Sequence, residues 1–208
     1  MGAAPELLPM FPLGTVLFPY ASLPLHVFEP RYRTMTRRVL AGDKQFGVVL
    51  IERGSEVGGG DIRFDVGTVA QVVQASELPD GRFALATVGV RRIRVERWLT
   101  DDPYPQAEVL ELDEPPATAG AADARTTMLD QLDALVAVAR QIDARIPPLG
   151  AIDEDPVRAA YEAAAHAPLG PLDAQQVLEA SSTEARLRLL TTLFAELAAE
   201  LRAARDLG

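Results

Sequence analysis

The stretch from residue 7 to residue 33, LLPMFPLGTVLFPYASLPLHVFEPRYR, constrains the fold more than any other part of the chain. Prolines at 9, 12, 19, 24 and 30 punctuate its short apolar runs. Proline fixes φ and has no N–H to donate, so these runs predict short edge strands and stiff extended links, not central strands. Pro30 suits the first position of a helix, and Glu29 lies just before it, near the positive end of the helix dipole. Gly42 suits the position just past the end of that helix. Met35 and Val39, with Tyr32 as a third candidate, give it a narrow apolar face.

The rest of the first half reads as β. Residues 46–51 (FGVVLI) form a short, β-branched, buried strand, and residues 54–61 (GSEVGGGD) a flexible loop. The Pro79-Asp80-Gly81 turn joins strands at 68–77 and 82–88 into a hairpin. Val88 and Val90 share one face while Ile93 and Val95 share the next, so the phase slips. A β-bulge at Arg91-Arg92 restores it and returns Ile93 and Val95 to the core. The strand ends at Trp98, a turn follows at Asp101-Asp102-Pro103, and residues 107–112 form the last strand.

From residue 114 the character changes. Residues 114–120 (EPPATAG) have the composition of a linker, and everything beyond reads as helical. Leu129, Leu132, Val136 and Ala139 mark a first helix that must stop near Pro147-Pro148. Asp155-Pro156 opens a second and Pro171 a third. Ser181 with Glu184 matches a capping box opening the fourth. In that last helix Leu187, Leu190, Phe194, Leu197 and Leu201 form a seam, either bundle core or a dimerisation surface. The expected fold class is α+β: a β-rich lobe at 1–113 with one helix, a linker at 114–122 and a four-helix bundle at 123–208.

Composition narrows function mainly by exclusion. The net charge of −10 opposes general binding to nucleic acid. Cysteine is absent, which removes disulfides, thiol nucleophiles and thiolate metal sites. No run of about 18 apolar residues suggests a membrane span. The N-terminus has no basic region followed by an apolar run, as a secretory signal would. A cytoplasmic protein is the expectation. Lys44 is the one lysine, so chemistry that needs a lysine must use it.

The order of segments carries a family resemblance. Leu8-Pro9 through Arg31, then residues 46–51, Gly67-Thr68-Val69-Ala70, the Asp80-Gly81-Arg82 turn and Val88-Gly89-Val90-Arg91-Arg92-Ile93 resemble the Lon protease N-terminal, substrate-binding domain. Gln176, Leu178, Glu179, Glu184, Arg186, Leu187 and Leu190 resemble its last helices. The resemblance implies a pseudo-barrel β lobe with one helix, followed by a helical lobe. It also implies recognition of protein substrates. The motor and protease of a Lon enzyme have no counterpart: no G-x-x-x-x-G-K-[ST] loop occurs, and Lys44 lies in a loop after a helix, out of context for a serine–lysine dyad. The expectation is therefore a stand-alone, non-enzymatic domain with no cofactor and no metal.

Four groups of residues invite a functional reading. His26, flanked by Leu25 and Val27, reads as a strand histidine with a local hydrogen bond. Ser181-Ser182-Thr183 reads as a helix cap. Arg91, Arg92, Arg94 and Arg97 on one strand read as partners for acids across the sheet, not as a phosphate reader. Glu29, Arg31 and Tyr32, near Phe18-Pro19-Tyr20, hold the lobe's geometry or line a groove for an extended peptide. In the second case proline-broken edges offer backbone groups for β-augmentation. The expected partners are unfolded or extended peptide segments, with a protease or regulatory protein behind an adaptor or holdase role. The alternatives are a scaffold binding one folded partner, and a small-metabolite protein using Glu29 or Arg31 as polar anchors.

Overall fold

The computed structural model describes residues 4–53, 62–147 and 149–207; the loop expected at 54–61, and Pro148, lie outside the described residues. The chain divides into two compact units, Met1–Asp113 and Glu114–Gly208.

The first unit contains β1 (Glu6–Leu13), β2 (Ser22–Val27), α1 (Pro30–Ala41), β3 (Gln45–Arg53), β4 (Ile62–Glu77), β5 (Phe83–Trp98) and β6 (Gln106–Glu111). The strands form one sheet in the order β2-β5-β4-β3-β1-β6, and β6 also pairs with β5, which closes the sheet on itself. Strand β5 makes this closure possible through its length. Its first half pairs with β2 from Phe83 to Val88, and its second half pairs with β6 from Ile93 to Trp98.

Period-two alternation sorts the apolar side chains into two clusters. Along β1, Phe11 and Leu13 pack with Tyr32, Met35 and Val39 of α1, while Leu8 and Met10 pack with Ile93, Val95, Ala107 and Val109 inside the closed sheet. Ile93 and Val95 thus face the core as the sequence pattern required. The bulge that puts them there is one residue earlier than expected. Val69 pairs with Arg91 and Ala70 with Gly89, so the extra residue is Val90, which is 39% exposed. The cause lies at Gly89. A Cβ there would sit 2.2 Å from the Phe18 carbonyl oxygen, because segment 18–21 docks on this glycine through Tyr20 N–H to Gly89 O and Gly89 N–H to Ala21 O.

Helix α1 buries Tyr32, Met35, Thr36 and Val39. Its end departs from expectation. Gly42 has φ −115°, an ordinary value, and the left-handed residue is Lys44 at φ 59°. The N–H groups of Gly42 and Lys44 both donate to Val39 O, so the last turn is closed by a two-step turn and not by a glycine alone.

The second unit contains α2 (Ala121–Ile142), α3 (Pro156–His166), α4 (Pro171–Glu179) and α5 (Thr183–Leu207). Helix α2 buries Met128, Leu132, Leu135 and Val138, a stripe rotated from the one expected; Leu129, Val136 and Ala139 are half-buried. In α5, Leu187, Leu190, Phe194 and Ala198 are buried and Leu197 and Leu201 half-buried, so the seam is bundle core. The cap of α5 is Ser182, whose Oγ accepts from Ala185 N–H at 3.2 Å. Glu184 does not complete a box with Ser181; its carboxylate accepts from Thr118 N–H at 2.7 Å.

That contact helps to hold the segment whose composition reads as linker. So does the fully buried Arg186, which donates to Glu114 Oε1 at 2.8 Å and to the carbonyls of Val177 and Ala180. Its guanidinium also lies 4.2 Å from the Tyr161 ring, and Tyr161 OH donates to the other Glu114 oxygen. Residues 114–118 are therefore tied to α3 and α5, and through Arg186 to α4.

Candidate functional site

The site begins with the prolines of β1. Far from being an edge strand, β1 stands between β3 and β6 in the sheet. It changes partner midway: Glu6 to Pro9 pair with β6, and Met10 to Leu13 pair with β3. Met10 N–H donates to Pro105 O at 2.9 Å, which fixes the phase. Backbone groups alternate sides along a strand, so the even residues of β1 address β6 and the odd residues address β3. Pro12 lacks its donor on the β6 side, where pairing to β6 has already ended. Pro9 lacks its donor on the β3 side, one rung before the β1–β3 ladder starts at Met10 and Gly47. A central strand thus tolerates both prolines.

The missing N–H of Pro9 also has a consequence for β3. Val72 N–H donates to Lys44 O at 2.9 Å, which turns the backbone groups of Gln45 toward β1. The next rung would carry a donor from residue 9 to Gln45 C=O, and proline cannot supply it. The strands part there, and a pocket of about 190 Å³ opens between them. Leu7, Leu8 and Pro9 form one wall, and Asp43 and Gln45 the other. Arg38, Val39 and Gly42 bring in the C-terminal end of α1, with Glu6 and Gln106 completing the lining. Leu7 is 53% exposed, and by the alternation its N–H and C=O point to this side. The pocket therefore presents the main-chain groups of Leu7 and Gln45 beside an apolar wall.

Beside it, a layer of polar side chains ends the apolar interior of the sheet. Arg91 donates to Glu6 Oε2 at 2.7 Å and to Gln45 Oε1 at 2.8 Å, and pairs with Glu111 at 3.3 Å. Gln45 donates in turn to Gln71 Oε1 at 2.9 Å. Arg92 and Arg97 of the run also meet acceptors within the unit. Arg97 grips Glu108 bidentately at 2.6 and 3.2 Å, and this hydrogen bond holds the Glu108 carboxyl below its ordinary range. Arg92, 5% exposed, donates to Asp113 O. Arg94 is exposed.

The sequence-derived peptide residues fall into two groups at opposite ends of β2, separated by about 17 Å of strand at roughly 3.4 Å per residue. At one end, Phe18 and Pro19 are buried and Tyr20 is 43% exposed. At the other end, Arg31 pairs with Glu29 at 3.2 Å, and its guanidinium stacks 4.5 Å from the Tyr32 ring. Tyr32 is itself buried, 4.2 Å from Phe11. Only Tyr20 of the six presents its ring substantially to solvent. His26 is exposed on β2, and His166 Nδ1 lies 2.6 Å from Glu162 O. Among the described residues no three His, Asp or Glu side chains are arranged to hold a metal ion. No helix among them is long and apolar enough to cross a membrane.

Residues 7–196 match the family described as the ATP-dependent protease La (LON) substrate-binding domain. The chain belongs to that family. The Lon protease of Escherichia coli is 30% identical over 191 residues, covering 89% of this chain and 24% of that protein. The Lon protease of Cytophaga hutchinsonii is 36% identical over 108 residues, 50% of this chain and 13% of that one. This Lon-type domain thus spans about a quarter, or less, of the length of these relatives. The fold is that of the Lon N-terminal domain protein from Xanthomonas campestris, with TM-score 0.66, 23% identity and coverage of 90% and 98% of the two chains. The N-terminal domain of Mycobacterium avium complex Lon protease gives TM-score 0.64 at 20% identity, covering 92% and 99%. Sequence reasoning reached the Lon-type fold but did not single out Leu7, Pro9, Asp43 and Gln45, which line the pocket. The signal was the spacing of Pro9 and Pro12: an odd separation puts their two missing donors on opposite sides of one strand.

Proposed function

We propose that this domain is a non-catalytic recognition module for extended or unfolded polypeptide segments, and that the pocket beside Leu7 receives the segment's main chain. The observation that carries the reading is the parting of β1 from β3 at Pro9, which leaves Leu7 N–H and Gln45 C=O open beside an apolar wall. An extended chain satisfies such groups by adding a strand. The volume of about 190 Å³ suits one side chain and lies below the roughly 300–1,000 Å³ usual for small-molecule sites. That favours a peptide over a metabolite. In this role the domain presents unfolded clients to an ATP-driven protease or holds them soluble.

Fluorescence anisotropy with a labelled, unfolded apolar peptide tests the reading. Saturable binding by high micromolar concentration is expected. Leu7→Pro removes the open donor while sparing the β6 ladder, by the same alternation that accommodates Pro9, and is expected to abolish binding. An absence of saturable binding to wild type, or peptide binding indifferent to Leu7→Pro, overturns the assignment. Hydrolysis of casein or ATP by rigorously purified protein overturns its non-catalytic part.

A further inference from the structure

We infer that the segments this pocket takes carry a basic residue, and that Asp43 with the C-terminal end of α1 selects it; the inference rests on the peptide-binding reading above. The wall opposite Leu7 is built from acceptors. Helix α1 ends there at Gly42, and the carbonyl end of a helix carries roughly half a negative charge. Asp43 follows directly, exposed, and its carboxylate has no ion-pair partner among the described residues. Gln45 C=O points the same way. Glu6 lines the pocket too, already shared with Arg91 at 2.7 Å. Among the lining residues one cation opposes this set, Arg38, exposed on the last turn of α1, while Lys44, next to Asp43, and Arg91, on Glu6 and Gln45, stand outside the lining. A lysine or arginine next to the docked stretch would reach Asp43 and the helix end while its alkyl stem lies on Leu7 and Val39. An acidic residue there would meet Asp43 and the helix carbonyls in repulsion.

The test uses the full chain and three labelled, unstructured peptides identical except for a central Lys, norleucine or Glu. Exposed charge pairs change affinity by about two- to fivefold each, so the Lys peptide should bind at least about threefold more tightly than the Glu peptide at low salt. The norleucine peptide should fall between them. The gap should narrow at high salt, where the Debye length drops to about 3 Å at 1 M. Asp43→Asn should remove most of the gap between the Lys and Glu peptides. Arg38→Gln should widen it. Circular dichroism verifies that both surface variants are folded. Binding of all three peptides with equal affinity, or a gap untouched by Asp43→Asn, overturns charge selection while leaving peptide recognition standing. Failure of all three to bind overturns both.

Discussion

Replacing Pro9 by alanine should close the pocket. Residue 9 would regain an N–H on the β3 side, opposite the open Gln45 C=O, and the β1–β3 ladder could extend by one rung. A hydrogen bond of this kind contributes about 0.5–1.5 kcal/mol net. Loss of the proline frees the unfolded chain and costs about 0.4–1 kcal/mol. The two terms nearly cancel, so Pro9→Ala should leave stability within about 1 kcal/mol of wild type. Pro12→Ala is the control. Its regained N–H would face the β6 side beyond the end of that pairing, so the entropy term of about 0.4–1 kcal/mol is not offset by a new bond, and loss of the buried Pro12 ring adds to the cost. Urea midpoints should therefore place Pro9→Ala above Pro12→Ala. The new amide that Pro9→Ala creates should be protected from hydrogen exchange, and the one that Pro12→Ala creates should not. Peptide binding should weaken only in Pro9→Ala. A freely exchanging amide at position 9 of that variant, or an unchanged peptide affinity, would refute the account of how the pocket is formed.

The helical unit gives two further tests. Arg186→Met removes a guanidinium that serves Glu114, Val177 O and Ala180 O at once; breaking a buried ion pair costs about 3–5 kcal/mol. Because Glu114 is 26% exposed and can turn to water, the low end is expected, and combining it with Glu114→Leu should recover part of the loss in urea denaturation. Glu184 supplies a pH test: hydrogen bonds from Thr118, through its side chain and backbone N–H, hold its carboxyl below the ordinary value of 4.5. A depressed folded value means that the contribution is present above pH 4.5 and lost as pH falls through the folded value. Stability measured between about pH 5 and pH 3 should fall less steeply in Glu184→Gln than in wild type.

Elements are legible wherever a local pattern fixes them. The α1 face, the Asp80-Gly81 hairpin, the inward return of Ile93 and Val95 and the α5 seam follow from periodicity and turn residues alone. The Asp80 turn closes on itself, with Asp80 Oδ1 accepting from Arg82 N–H at 3.1 Å and Gly81 at φ 77°. Details set by distant partners are not legible. The bulge falls at Val90 because segment 18–21 docks on Gly89, far away in sequence. Ser182, not Ser181, caps α5 because Glu184 is drawn to Thr118. The candidate site is least legible of all. Aromatic rings at 18, 20 and 32 suggest a groove, but Phe18 and Tyr32 are buried in the structure. The pocket comes instead from a donor that is missing at residue 9, visible only once both neighbours of β1 are known.

The exchange of partners along β1 also sets a timetable for synthesis. Residues 6–9 find their ladder only in β6, at residues 106–109. At a ribosomal rate of about 5–20 residues per second, the first strand must wait roughly 5–20 seconds for its second neighbour to emerge. During that interval Leu8 and Met10 have no closed interior to enter.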